Sequence, residues 1–245
     1  MRASKLPKVG TTIFTVMSQL AAEHDAVNLG QGFPDFPPPP RLIDALDRAM
    51  RAGHNQYSPM SGIPALRQAI ADKTERCHGH RPDPGSSITV TSGASEAILD
   101  AVAAVVHAGD EVIVLDPCYD CYEPAIELAG GVAVHVALDP ETFAPDWEAV
   151  RAAITPRTRM LMVNTPHNPS GAMLEAADME SIASLLRGTD ILLLADESDK
   201  DAIDALIGLI RSIAVDFGVE ADREFVRRLA ADADDRGCQP AIRSG

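Results

Sequence analysis

Four short segments place chemistry-bearing residues directly after apolar runs. In Thr91-Ser-Gly-Ala-Ser-Glu-Ala97 a turn opens a helix. Gly93 lets a ligand come close to the backbone, and the amides of Gly93, Ala94 and Ser95 can face an anion at the helix N-terminus. Alone, the segment could simply cap a helix. In Asp116-Pro-Cys-Tyr-Asp-Cys-Tyr122, Tyr119 can stack on a planar ring or pack as a loop tyrosine. In Asn164-Thr-Pro-His-Asn-Pro-Ser-Gly171 two prolines stiffen a loop. Asn168 is then held rigidly, suited to donate a hydrogen bond to a phenolic oxygen. His167 beside it reads as a loop histidine rather than an acid or base. The fourth segment is Asp196-Glu197, after the apolar run Ile191-Leu-Leu-Leu-Ala195. A carboxylate there is costly without a partner. Asp196 can pair with a protonated pyridine nitrogen and so hold a cofactor as an electron sink. Glu197 reads as structural.

Taken together, a phosphate cradle, a stacking aromatic, a phenol-oxygen donor and a pyridinium carboxylate describe a pocket for pyridoxal 5'-phosphate (PLP). A generic phosphate-binding α/β domain would explain the 92–95 junction and leave Asn168 and Asp196 without a purpose.

The elements that must position these residues alternate. Short apolar strands are expected over 88–91, 111–115, 132–136, 159–163 and 191–195. Helices are expected over 94–107, 122–129, 146–154 and 175–186, several closed by glycine. This alternation predicts an α/β fold with a mostly parallel sheet sandwiched by helices, whose ligands gather at the carboxyl ends of the strands. Upstream, residues 1–40 read as an extended arm ending in Pro37-Pro-Pro-Pro40. Amphipathic helices follow around Leu42 to Ala49 and Ile63 to Ile70. Downstream of Glu197 the pattern changes. Ile203, Leu206, Ile207, Ile210 and Ile213 form a helical stripe and a weaker one follows Gly218, which predicts a C-terminal helical hairpin. The expected organisation is an arm (1–40), a PLP-binding domain (41–197) and a helical tail (198–245).

Composition narrows the class. The 245 residues are 46% apolar and 23% charged, which excludes a disordered chain, a collagen or a coiled coil. The net charge of −15 argues against nucleic acid or an anionic membrane as a partner. No apolar run is long enough to span a bilayer, and the first residues lack an apolar signal core, so a cytoplasmic protein is expected. Cys118 and Cys121 have CxxC spacing, but Cys77 and Cys238 make no matching pair. Reduced, structurally neutral thiols and no metal are therefore expected.

The chain resembles the class I aminotransferases of PLP fold type I, closest to the methionine and kynurenine (aromatic) group. The resemblance rests on Asn28-Leu-Gly-Gln-Gly-Phe-Pro-Asp-Phe36, Gln56-Tyr-Ser-Pro-Met-Ser-Gly62, Thr89-Val-Thr-Ser-Gly-Ala94, Asp116-Pro-Cys-Tyr119, Asn164-Thr-Pro-His-Asn-Pro-Ser-Gly171 and Asp196-Glu197. It covers about residues 4–197. It implies that Gly93, Ala94 and Ser95 hold the cofactor phosphate, Tyr119 stacks on the ring, Asn168 bonds the ring hydroxyl and Asp196 the ring nitrogen. It also implies that Gly32 lies near the substrate carboxylate, and that Tyr57 reaches the phosphate in a neighbouring subunit of a homodimer. The substrates implied are an amino acid and a 2-oxo acid.

The resemblance stops after Glu197. The family continues there into a hydrophobic residue and a tyrosine, where this chain has Ser198 and Asp199. The family's Schiff-base lysine has no matching position; the lysines are Lys5, Lys8, Lys73 and Lys200. On this reading the chain is a truncated aminotransferase, catalytically incomplete as it stands. The alternatives are a non-catalytic PLP-binding or dimer-forming remnant, and a PLP-dependent carbon–sulfur β-lyase.

Overall fold

The computed structural model describes residues 4–7, 9–30 and 36–197. Gly32, Lys200 and the expected helical hairpin over 198–245 lie outside the described residues. The chain forms two compact units, residues 1–59 and 60–245.

The first unit carries two helices, α1 (Ile13–Glu23) and α2 (Pro40–Arg51). The expectation of an extended arm over residues 1–40 fails at α1. Thr12 accepts a hydrogen bond from the Thr15 amide and so caps the helix. Ile13, Val16, Met17 and Leu20 follow at the spacing of one helical face. The prolines govern only residues 37–40, and Pro40 itself opens α2, where its missing N–H costs no hydrogen bond.

The second unit contains α3 (Pro64–His78), α4 (Ala94–Val105), β1 (Glu111–Asp116), α5 (Tyr122–Ala129), β2 (Val132–Ala137), α6 (Trp147–Ala153), β3 (Thr158–Thr165), α7 (Ala176–Leu186) and β4 (Leu192–Glu197). The four strands are all parallel, in the order β2-β1-β3-β4. Their side chains alternate between two buried layers, as the two-residue strand period requires. Val112, Val114, Met160 and Met162 pack on one face with Ile98 and Val102 of α4 and Ile126 of α5. Ile113, Leu115, Leu161 and Val163 pack on the other with Val150 of α6 and Ile182 and Leu186 of α7. The expected sheet covered on both faces is therefore present.

Local signals set the element ends. Gly130 takes a left-handed conformation at φ 84° to close α5. Asp146 accepts from the amides of Glu148 and Ala149 to open α6. One expected strand is absent: residues 88–91 have no strand conformation. A strand exists only as part of a ladder, and none of the described residues forms one with this segment. Its recorded backbone bond is a single contact, from the Val90 amide to the Ser61 carbonyl. No helix of the described residues is long and apolar enough to cross a membrane.

Candidate functional site

The segments singled out by residue type meet at the carboxyl ends of β1, β3 and β4 and at the N-terminus of α4. Gly93 stands at the N-cap of α4 with φ 90°, a conformation that favours glycine, and no side chain caps this helix. A Cβ built on Gly93 would meet nothing within 4 Å. The first turn of α4 thus faces open space, with its amides at the positive end of a twelve-residue helix. The Ser95 hydroxyl donates to the Cys121 sulfur, tying α4 to the loop after β1.

That loop carries Tyr119, whose ring meets Tyr122 edge to face with centroids 5.9 Å apart. Tyr122 is 3% exposed. Its hydroxyl donates to Asp196 Oδ2 at 2.7 Å, across 74 residues of sequence. Burial first, and the Asp196 carboxylate second, push the phenol well above its usual range, so it remains a proton donor.

Parallel pairing sets Asn164 of β3 beside Asp196 of β4. The Asn164 amide donates to the Asp196 carbonyl at 2.8 Å. The Asn164 side-chain oxygen accepts from the Asn168 amide, which fixes the loop presenting the exposed Asn168. His167 is 8% exposed. It shares a hydrogen bond of 2.7 Å with Ser170 and also donates to the Pro117 carbonyl. Burial holds its pKa below the usual histidine value. A neutral ring bonded on both sides links the loops after β1 and β3, in keeping with a structural role.

The structure thus links Ser95, Tyr119, Asn168 and Asp196 through Cys121, Tyr122 and Asn164 within the second unit, with Gly93 and Ala94 adjoining Ser95 in the same turn. Tyr57 belongs to the first unit and is fully exposed. Gly32 lies outside the described residues. Two partners of Asp196 were not assigned a role from sequence, Tyr122 and Asn164. Their signal was present: a half-buried strand-end carboxylate needs donors, and a tyrosine and an asparagine stand in neighbouring motifs.

Cys77, Cys118 and Cys121 are free thiols. Burial, reinforced by Asp116, pushes the Cys118 thiol up to about 12, and burial raises Cys121 as well. Neither is a thiolate at neutral pH.

Glu197 Oε1 is buried without a hydrogen-bond partner among the described residues. Burial first, and the charge of Asp196 second, raise the carboxyl from 4.5 to about 7. The folded state therefore holds this proton more tightly than the unfolded chain does. The associated stability is complete below pH 4.5 and is lost as pH rises towards about 7. Glu197→Gln is expected to remove this loss, gaining on the order of 1–3 kcal/mol over the parent at pH 8 and little at pH 4.5. Urea unfolding at both pH values checks it; equal gains at both would refute the assignment.

Comparison with known proteins gives the family context. Residues 24–198 match the family model described as aminotransferase class I and II. The chain is 50% identical over 194 residues to the methionine aminotransferase of Escherichia coli (strain K12), a match covering 79% of this chain and 50% of that protein. It is 36% identical over 210 residues to kynurenine–oxoglutarate transaminase 1 of Homo sapiens, with 80% and 50% covered. An Escherichia coli crystal structure that identifies a methionine aminotransferase function superposes with a TM-score of 0.78 at 50% identity, covering 80% of this chain and 52% of that one. The chain spans about half the length of the curated relatives it matches.

Proposed function

Since the chain belongs to the class I and II aminotransferases, whose members depend on PLP, we propose that its second unit holds this cofactor for amino transfer between an amino acid with an apolar, sulfur or aromatic side chain and a 2-oxo acid. The observation that carries the proposal is the Tyr122–Asp196–Asn164 arrangement, which presents an oriented carboxylate beside a stacking aromatic. The uncapped α4 terminus with its glycine, open where a side chain would stand, fits a phosphate.

The chemistry that bound PLP supplies is an electron sink for the electrons released when the substrate loses its α-proton. The chain's own residues position it. The amides of Gly93, Ala94 and Ser95 hold the phosphate, and Tyr119 covers one ring face. The Asn168 side chain donates to the ring hydroxyl. Asp196 keeps the ring nitrogen protonated, and Tyr122 fixes the carboxylate in place. Amino transfer also needs a base at the α-carbon. The described lysines, Lys5 and Lys73, are both exposed; Lys5 belongs to the first unit and Lys73 to α3. Neither belongs to the contact network at the strand ends. A PLP-binding chain with slow or no turnover is therefore the second reading.

By resemblance, Gly32 serves the substrate carboxylate. The fully exposed Tyr57 reaches the phosphate bound by a second copy of the chain in a homodimer. The free thiols suit the reducing cytoplasm, where we place the protein.

The test is a PLP titration of the full chain, followed by borohydride reduction and mapping of lysine adducts by mass spectrometry. Saturable binding with a shifted spectrum is expected, and no binding would overturn the proposal. An adduct on Lys200 with turnover of methionine would support the catalytic reading. Bound PLP with no adduct would support the second. Tyr119→Ala is expected to weaken binding roughly 2- to 12-fold, while Tyr119→Phe keeps it, because the ring face and not the hydroxyl makes the contact.

A further inference from the structure

The parallel ladder between β1 and β2 pairs Val114 with His135 and Asp116 with Ala137. Side chains alternate along a strand, so His135 and Asp116 stand on the same face of the sheet. Asp116 ends β1, and Cys118 follows two residues later. One donor atom from each of the three, the His135 ring nitrogen, an Asp116 oxygen and the Cys118 sulfur, lies within 4.8 Å of the others. His135 Nδ1 is 2.8 Å from Asp116 Oδ2, and the Cys118 thiol donates to the Asp116 carboxylate.

We propose that Asp116, Cys118 and His135 form a binding site for a borderline-soft divalent cation, zinc by its chemistry. Zinc takes thiolate at about 2.3 Å and imidazole or carboxylate at about 2.0–2.2 Å, so neighbouring donors in its tetrahedron lie roughly 3.3–3.7 Å apart. The three donors lie within 4.8 Å of one another, and binding requires the 2.8 Å His135–Asp116 contact to open by about half an ångström. One sulfur and one imidazole nitrogen disfavour magnesium and calcium, which take oxygen ligands. Three protein ligands leave the fourth position to water. β2 is an edge strand among the described residues and the His135 side chain is 38% exposed, which provides an entry path.

The protons balance. Cys118 releases its thiol proton to solvent. The metal-bound form uses the His135 tautomer with its proton on Nε2, whose Nδ1 lone pair is free. One proton leaves per ion, and carboxylate plus thiolate neutralise the cation. None of the three residues is assigned to the cofactor. The ion would instead pin residues 116–119, the segment that carries Tyr119.

Cobalt(II) titration of the cofactor-free full chain tests this, because cobalt takes zinc's geometry and reports a sulfur ligand by its charge-transfer absorption. One tetrahedral cobalt per chain is expected, displaced by zinc. Cys118→Ser should abolish the charge-transfer band. His135→Ala, at an exposed position the fold tolerates, should weaken binding at least 10-fold. Cys77→Ser and Cys121→Ser should leave both unchanged. Zinc should raise the thermal unfolding midpoint of the parent and not of His135→Ala. Absence of the band in the folded parent would overturn the site. So would a band that survives Cys118→Ser, or affinity unaltered in His135→Ala.

Discussion

Asp196→Asn is expected to weaken PLP binding by roughly 10- to 150-fold while leaving the fold intact. The substitution keeps the shape and a hydrogen-bond acceptor but removes the charge. A hydrogen bond to a charged partner contributes about 1.5–3 kcal/mol, which sets the size of the loss. Asp196 is held at two points, its carboxylate and its backbone. Tyr122 donates to Oδ2 at 2.7 Å, and Asn164 fixes the backbone through the carbonyl at 2.8 Å. Little ordering then remains to be done when a protonated ring nitrogen arrives. Titration of the variant by PLP absorbance, with urea unfolding as the control for folding, measures the effect. Tyr122→Phe should cost less affinity than Asp196→Asn, because the tyrosine acts through the carboxylate. An Asp196→Asn variant that binds PLP as tightly as the parent would refute the assignment of Asp196.

The largest expected effect on stability is at Ile126. Its side chain is fully buried, between α5 and the sheet face that also packs Val102 and Met160. A Cβ built on Gly131 would stand 3.1 Å from Ile126 Cγ2 and 2.6 Å from Val106 Cγ1, so the backbone already lies close against this layer. Such tight surroundings cannot collapse to refill a cavity. Ile126→Ala is therefore expected to cost about 2–5 kcal/mol. The single tryptophan, Trp147, opens α6 and donates to Asp178 on α7 at 2.8 Å, on the opposite face of the sheet. Its fluorescence in a urea titration reports whether the whole second unit loses stability together. A cost below about 1 kcal/mol would mean that the layer relaxes freely. Because α5 begins at Tyr122, the same variant should also loosen the Tyr122–Asp196 contact and lower PLP affinity.

The sequence by itself determined the local features. Helix ends at Gly130 and Asp146, the apolar runs of β1, β3 and β4, and the motifs around Gly93, Tyr119, Asn168 and Asp196 depend on residues within a few positions of each other. Side-chain period, glycine conformation and capping act over that range, so they are legible along the chain. The same local signal for α1 was present in Thr12 and the Ile13–Val16–Met17–Leu20 spacing, and the proline run downstream masked it. Tertiary structure alone decided the rest. Residues 88–91 have strand composition but no strand, because a ladder needs a neighbour the local sequence does not contain. Tyr122 finds Asp196 across 74 residues only because β4 adds to the sheet beyond β3. His135 meets Asp116 and Cys118 only because β2 pairs with β1 in one particular parallel register. Residue type announces which groups need partners, and the order and register of the strands choose them.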